Sequence, residues 1–350
     1  MIMDTTSFEK NIIESLSQLT EIYSKELQNI IQEGEQGIFP VKAKIISHLQ
    51  QYAKPPLTQE LIEKIATEIF SVALQTARPL KVAYLGPVGT FTHIAMLEIF
   101  GDVIEAIPHR TISDVFDEVE TGRAAFGVVP IENSTEGAVT YTMDEFLDTD
   151  LKIVSEKSLR ITYSLLSVCD SIEKIKKIYS HPQSLAQCKN WLKANLPNVE
   201  INQVNSTAKA AETASWDKYS AAIASNISAK IYNLNIIADG IEDSRQNYTR
   251  FLVLGKHDNP PTGNDKTSIV CAVKDQPGAL YKLLKPFSDH GINMTMIESR
   301  PDKKKMWAYN FFIDFNGHRT DPVVQKALEA MKQETIFLKV LGSYQAEKHD

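Results

Sequence analysis

Lys81-Val82-Ala83-Tyr84-Leu85-Gly86-Pro87-Val88-Gly89-Thr90-Phe91-Thr92-His93 sets the fold class of this 350-residue chain. Val82 to Leu85 read as a short buried strand, Gly86 and Gly89 bound a turn, and Thr90 opens a helix. A helix start presents free N–H groups and a positive dipole end, which together hold anions. The spacing is neither a Walker loop nor G-x-G-x-x-G, so nucleotide binding is not indicated. The device recurs downstream. Ala125 to Val129 run into Pro130-Ile131-Glu132-Asn133-Ser134-Thr135-Glu136-Gly137, read as a turn. Lys176 to Tyr179 precede Ser180-His181-Pro182-Gln183-Ser184-Leu185-Ala186-Gln187-Cys188, and Val199 to Val204 precede Asn205-Ser206-Thr207-Ala208. Ligands of α/β sheets gather outside the carboxyl ends of strands, and these four ends carry Ser, Thr, Asn, His or Gln. Each alone is an ordinary helix cap; four in one domain imply a shared cleft. Asn247-Tyr248-Thr249-Arg250-Phe251 then sets a hydroxyl beside a permanent cation at the mouth of the run Leu252-Val253-Leu254.

These motifs, in this order over about half of the chain, resemble the signature set of prephenate dehydratase. The resemblance implies two α/β lobes of the periplasmic-binding-protein kind with the active site between them. It also implies the reaction: prephenate loses carbon dioxide and water and becomes phenylpyruvate, in phenylalanine biosynthesis. Such chemistry needs a donor at the departing oxygen, N–H groups or cations on the carboxylates, and an apolar wall beside the ring. By resemblance Thr249 assists hydroxide departure, Arg250 orients a carboxylate, and Phe91 or Phe251 packs by the ring. Thr90, Glu132, Asn133, Ser134, Ser180, His181, Ser206, Thr207 and Asn247 are the other candidate substrate residues, with His181 a possible acid. The reaction calls for no metal and no organic cofactor.

A polar Pro/Gly-rich linker, Lys256 to Asp265, ends this region. Beyond it the pattern predicts a strand over 267–273, a helix over 278–289, a strand over 292–298, a strand over 306–315, a helix over 321–332 and a strand over 336–341. That order is βαββαβ, a ferredoxin-like module. Trp307, Tyr309, Phe311, Ile313 and Phe315 alternate on the third strand as a core stripe. Asp275-Gln276-Pro277-Gly278-Ala279-Leu280 and Glu298-Ser299-Arg300-Pro301 make the segment similar to an ACT domain. The resemblance implies that L-phenylalanine binds around Gly278, Ala279, Leu280 and Asn293, with Glu298, Ser299 and Arg300, between paired modules, and inhibits the enzyme.

Residues 1–79 are helical in pattern. Ile12, Ile13, Leu16, Leu19, Ile22, Tyr23 and Leu27 fit one face, Gly34 and Gly37 interrupt it, and further helices suit Val41 to Tyr52 and Leu57 to Leu74. In bifunctional bacterial enzymes this position holds a chorismate mutase, and Pro40 to Leu85 resembles its C-terminal half. That mutase clamps its dianion with Arg and Lys. Here Arg78 is the only arginine before Pro79, and Val41-Lys42 stands where an Arg-Glu pair is expected. A dianion without cationic partners is very unfavourable in a bundle, so mutase activity is not expected. The domains expected are therefore 1–79 helical, 80–257 dehydratase and 266–345 ACT.

A formal charge of −7 argues against nucleic acid or an anionic membrane as partner. The three cysteines include no C-x-x-C, so neither a disulfide framework nor a zinc site is indicated. Charged residues near the start and no run of membrane length lead to an expected cytoplasmic location. An ACT module favours pairing, as homodimer or homotetramer. Arogenate dehydratase and a non-catalytic amino-acid sensor are the alternative readings.

Overall fold

The structure, a computed structural model, describes residues 5–33, 37–55, 57–274, 276–302 and 309–347. Gly34, Asp275, Met306 and Trp307 of the sequence reading lie outside the described residues.

The chain opens with three helices, α1 (Thr5–Gln32), α2 (Ile38–Tyr52) and α3 (Gln59–Ala77). Thr58 caps α3 by accepting from Leu61 N. Only the later part of α1 buries its apolar face: Tyr23 and Leu27 are in the core, whereas Ile13, Leu16 and Ile22 are exposed. The helices are not a detached appendage. Phe39 of α2 packs edge-on against Phe100 and Phe126, with ring centroids 5.6 and 5.4 Å apart. Lys42 donates to the Glu98 and Ile99 carbonyls at 2.6 and 2.9 Å, so its amine closes a helix C-terminus in the neighbouring lobe, where burial pulls its pKa down to about 7.

The first lobe follows: β1 (Lys81–Leu85), α4 (Phe91–Phe100), β2 (Glu105–His109), α5 (Ile112–Glu120), β3 (Phe126–Asn133), β4 (Gly137–Ala138), α6 (Thr140–Asp148) and β5 (Lys152–Arg160). The second comprises β6 (Ser164–Ser167), β7 (Lys177–Ser180), α7 (Pro182–Gln187), α8 (Lys189–Asn195), β8 (Glu200–Gln203), α9 (Thr207–Ala214), β9 (Ser220–Ala224), α10 (Asn226–Ile231) and β10 (Asn235–Asp239). The chain then returns through β11 (Tyr248–Gly255), which lies antiparallel between β3 and β5 in the order β2-β1-β3-β11-β5. The second sheet runs β10-β6-β9-β7-β8. Two α/β lobes joined by two crossings are the architecture implied by the resemblance.

The sequence reading ends β3 at Val129, but the strand continues to Asn133 because β11 pairs with it that far. Pro130 is tolerated there because the β3–β11 register shifts between Arg250 and Phe251.

The last module is β12 (Asp265–Val273), α11 (Ala279–Asp289), β13 (Met294–Pro301), β14 (Tyr309–Asn316), α12 (Pro322–Glu334) and β15 (Thr335–Gln345), with sheet order β13-β14-β12-β15. Ile313 and Phe315 face its helices in one core. The alternate residues Asn310, Phe312 and Asp314 are buried too. The second face of the sheet lies on the first lobe, where Phe312, Leu341 and Tyr344 share a core with Ile153, Leu252 and Leu254. β15 crosses β5 so closely that a Cβ on Gly342 would stand 2.2 Å from the Ile153 carbonyl oxygen.

Candidate active site

The register of β11 on β3 sets Thr249 opposite Asn133. The buried Asn133 Nδ2 donates to Thr249 Oγ1 at 2.7 Å and to Asn247 Oδ1 at 2.9 Å. Its Oδ1 accepts from Thr135 N and Glu136 N, both at 3.0 Å, and so shapes the turn after β3. Thr249 is thus the acceptor of its pair, and its own hydroxyl hydrogen is left for a ligand. From the other lobe, Gln187 Oε1 accepts from Asn247 Nδ2 at 2.8 Å. Gln187 Nε2 is buried with no partner among the described residues. An unpaired buried amide donor is costly, and such a group is suited to a ligand atom.

Phe91 meets Tyr163 edge-on at 5.5 Å, giving the junction an aromatic wall. Burial pushes the Tyr163 hydroxyl up to about 12, and it bonds to Ser184. The glycine turn after β1 reaches the second lobe: Gly89 O accepts from Ser225 and Ser228 hydroxyls at 3.0 and 3.2 Å. Gly89 has φ +92°, and a Cβ there would come within 3.0 Å of Ser228 Oγ and 3.5 Å of Ala208. Glycine is what lets the turn adopt this conformation at close range.

Several candidates are structural supports. Thr90 caps α4, accepting from His93 N while donating to Leu85 and Pro87 carbonyls. Ser134 donates to Gln246 O and accepts from Tyr248 N, both at 3.0 Å, lacing β3 to β11. Ser180 is fully buried and donates to Ile223 O at 2.7 Å. Ser206 caps α9 by accepting from Lys209 N, and Thr207 is its buried first residue. His181 caps α7 through Nδ1, which accepts from Gln183 N at 3.3 Å. Burial pushes its pKa down against the pull of Glu136, so the free ring is neutral near pH 7.

Three sequence readings change. Arg250 points away from Thr249, as alternation along a strand requires. Its Nε donates to Glu156 at 2.8 Å, Nη1 to Asp314 at 2.5 Å and Nη2 to Tyr344 Oη at 2.8 Å. All three guanidinium nitrogens are occupied on the ACT side, so no fork remains for a substrate carboxylate. Phe251 is 1% exposed in the core and underlies the cleft instead of walling it. Glu132 faces away from Thr249 by the same alternation. Gln187 and Tyr163 were missed as site residues. Gln187 lay inside a quoted motif, but only the fold reveals its unpaired amide.

Among the described residues no cluster of His, Cys, Asp or Glu could hold a metal ion, and no helix is long and apolar enough to cross a membrane. Two α/β lobes whose polar side chains meet around Thr249, with a small βαββαβ module docked on the first lobe, define a class of two-lobed protein with an attached βαββαβ domain. The prephenate dehydratase family model matches residues 82–259 and the ACT domain model residues 267–333. The bifunctional chorismate mutase/prephenate dehydratase of Aquifex aeolicus is 52% identical over 93% of this chain and 89% of its own length. A solved prephenate dehydratase from Arthrobacter aurescens, in complex with L-Phe, has TM-score 0.71 at 35% identity, over 76% of this chain and 90% of that one. The quorum-quenching acylase GqqA has the same TM-score at 27% identity, over 76% of this chain and 98% of its own. The chain belongs to the prephenate dehydratase family and carries an ACT domain.

Proposed function

We propose that Asn133, Gln187, Asn247 and Thr249 together carry out the family's reaction, the decarboxylative dehydration of prephenate to phenylpyruvate. The carrying observation is the 2.7 Å bond that makes Thr249 an acceptor from Asn133 and leaves its hydrogen to donate. The bond to the ring carboxylate breaks, and its electron pair enters the ring as carbon dioxide leaves. The C–O bond across the ring breaks, and hydroxide departs toward the Thr249 O–H. That hydroxide takes a proton from solvent and leaves as water. Thr249 stabilises charge where it develops, which is where a fixed donor acts most. The Gln187 amide and the first turns of α4 and α9 are the donors offered to the carboxylates. Phe91 and Tyr163 exclude water beside the ring, consistent with loss of a desolvated carboxylate. A similar fold also serves an acylase, so fold alone does not choose the chemistry; the family match over the cleft residues favours dehydration.

L-Phenylalanine is the proposed inhibitor at the ACT domain. A relative was solved with it, and Gly278, at φ +78°, opens α11 with Ala279 and Leu280 in the first turn. Asn293, Glu298 and Ser299 are exposed in the same module. Arg300 instead grips Asp144 of α6 with two 2.9 Å bonds, so it clasps the module to the first lobe and is not offered to an effector. β13 is an unpaired edge, and Leu280, Tyr281 and Ile297 are exposed around it. An apolar edge of this kind suits a second module, as homodimer or homotetramer. Among the helices, Lys42 is spent on carbonyls of α4 and Lys44 on Glu26. Loss of mutase activity is therefore proposed, although the Aquifex aeolicus relative bears that name. A cytoplasmic location accords with this biosynthetic role.

The test is phenylpyruvate formation from prephenate, with and without L-phenylalanine, beside chorismate and arogenate. Turnover of prephenate suppressed by phenylalanine, with chorismate untouched, is expected. Turnover of arogenate alone would move the substrate, and inertness toward both would leave an amino-acid sensor.

A further inference from the structure

We propose that Arg250 is a positioning residue through which the ACT sheet fixes Thr249, an inference that rests on the role given to Thr249 above. Arg250 belongs to a cluster sealed between lobe and module. Glu156 of β5 accepts from Arg250 and also from Lys266 of β12 at 2.7 and 2.9 Å. Asp314 of β14 and Tyr344 of β15 complete the guanidinium's shell, and Ser268 bonds Tyr344 Oη at 2.7 Å. The four charged side chains are at most 13% exposed, and the two cations balance the two carboxylates. Such a balanced cluster holds only while every partner is in place. Because Thr249 adjoins Arg250 on one strand, the grip on the guanidinium sets where the hydroxyl sits on the opposite face.

The module holds the partner strand as well. Arg300 of β13 grips Asp144 of α6, and on α6 Thr142 donates to the Pro130 carbonyl at 2.6 Å. Pro130 lies on β3, the strand that carries Asn133. Both halves of the Asn133–Thr249 pair are thus tied to the ACT sheet, Thr249 through β14 and β15 and Asn133 through β13. β13 and β14 are neighbours, with Met296 opposite Asp314 in register. A ligand that shifts β13 acts on both ties at once, which gives the module a physical route to the site.

The test uses the full chain with Asp314→Asn, Tyr344→Phe and Arg250→Lys. None of these touches substrate in this geometry, and Tyr344→Phe keeps every charge should Asp314→Asn fail to fold. Expected is a fall in kcat of about ten- to a hundredfold, the scale of a misplaced catalytic group, with KM for prephenate nearly unchanged. Phenylalanine should also inhibit the variants less, and amide exchange should quicken over 130–136 and 247–254. Wild-type kcat in Asp314→Asn and Tyr344→Phe, with a raised KM in Arg250→Lys, would overturn the proposal and return Arg250 to substrate binding. If the unaltered chain does not turn over prephenate, the dehydratase reading fails, while the exchange measurement still decides whether the module grips these strands.

Discussion

The two faces of β11 differ more than any two domains of this protein. On one face Thr249 meets neutral amides, with a hydrogen and the Gln187 amide unspent. On the other, Arg250 is saturated by carboxylates and a phenol. The open face has donors in search of acceptors, as a binding site should. The sealed face has each charge answered, as a joint should. Neighbouring residues in a strand point to opposite sides, so a dipeptide that reads as one functional unit serves two purposes.

Replacing Glu156 by Leu should bring the largest loss, because Lys266 would lose the carboxylate it is bonded to and Arg250 would keep Asp314 alone. About 3–5 kcal/mol of stability is expected to go, read by thermal or denaturant unfolding. Burial pushes the Glu156 carboxyl up, but Arg250 and Lys266 more than offset that and hold it below its usual 4.5. Its contribution is therefore complete above pH 4.5 and fades as pH falls through the lowered value. Unfolding midpoints measured against pH should show this acid-side loss, and Glu156→Leu should flatten it.

On the open face, Thr249→Ala should reduce kcat by about 10²–10³, as when a donor to developing negative charge is removed, with phenylalanine binding and melting intact. Thr249→Ser should recover much of the rate. Full activity in Thr249→Ala would erase the contrast between the faces. Gly342→Ala tests the joint by sterics, since the new Cβ would press on the Ile153 backbone. A loss of about 1–3 kcal/mol is expected from such overpacking, seen as a lower midpoint. Lys42→Met should have the smallest effect, about 1 kcal/mol from the lost helix-end contact, and prephenate turnover should be unaltered.

Much of the fold was legible in the sequence. Strand–turn–helix punctuation around Gly86 and Gly89 and the alternation through Phe311, Ile313 and Phe315 are local patterns, and the elements formed where they predicted. The site was legible in part. Asn133, Asn247 and Thr249 were named from motifs and are joined by hydrogen bonds, whereas Arg250 belongs to the other face and Phe251 is sunk in the core. The continuation of β3 through Pro130 was hidden because its partner strand lies more than a hundred residues downstream. The full burial of Asn310, Phe312 and Asp314 was hidden because nothing local says that a sheet's second face will be covered.

The sequence by itself determined which segments are strands and helices, where the glycine turns fall and which short polar side chains crowd the strand ends. Those depend on contacts within a few residues, and periodicity records them. Only the tertiary structure decided that Arg250 serves the ACT joint, that Gln187 keeps an unpaired amide beside Asn247, and that the N-terminal helices share a core with the first lobe. Each depends on which surfaces meet after the chain has crossed twice between lobes, and residue spacing along a chain carries no record of that.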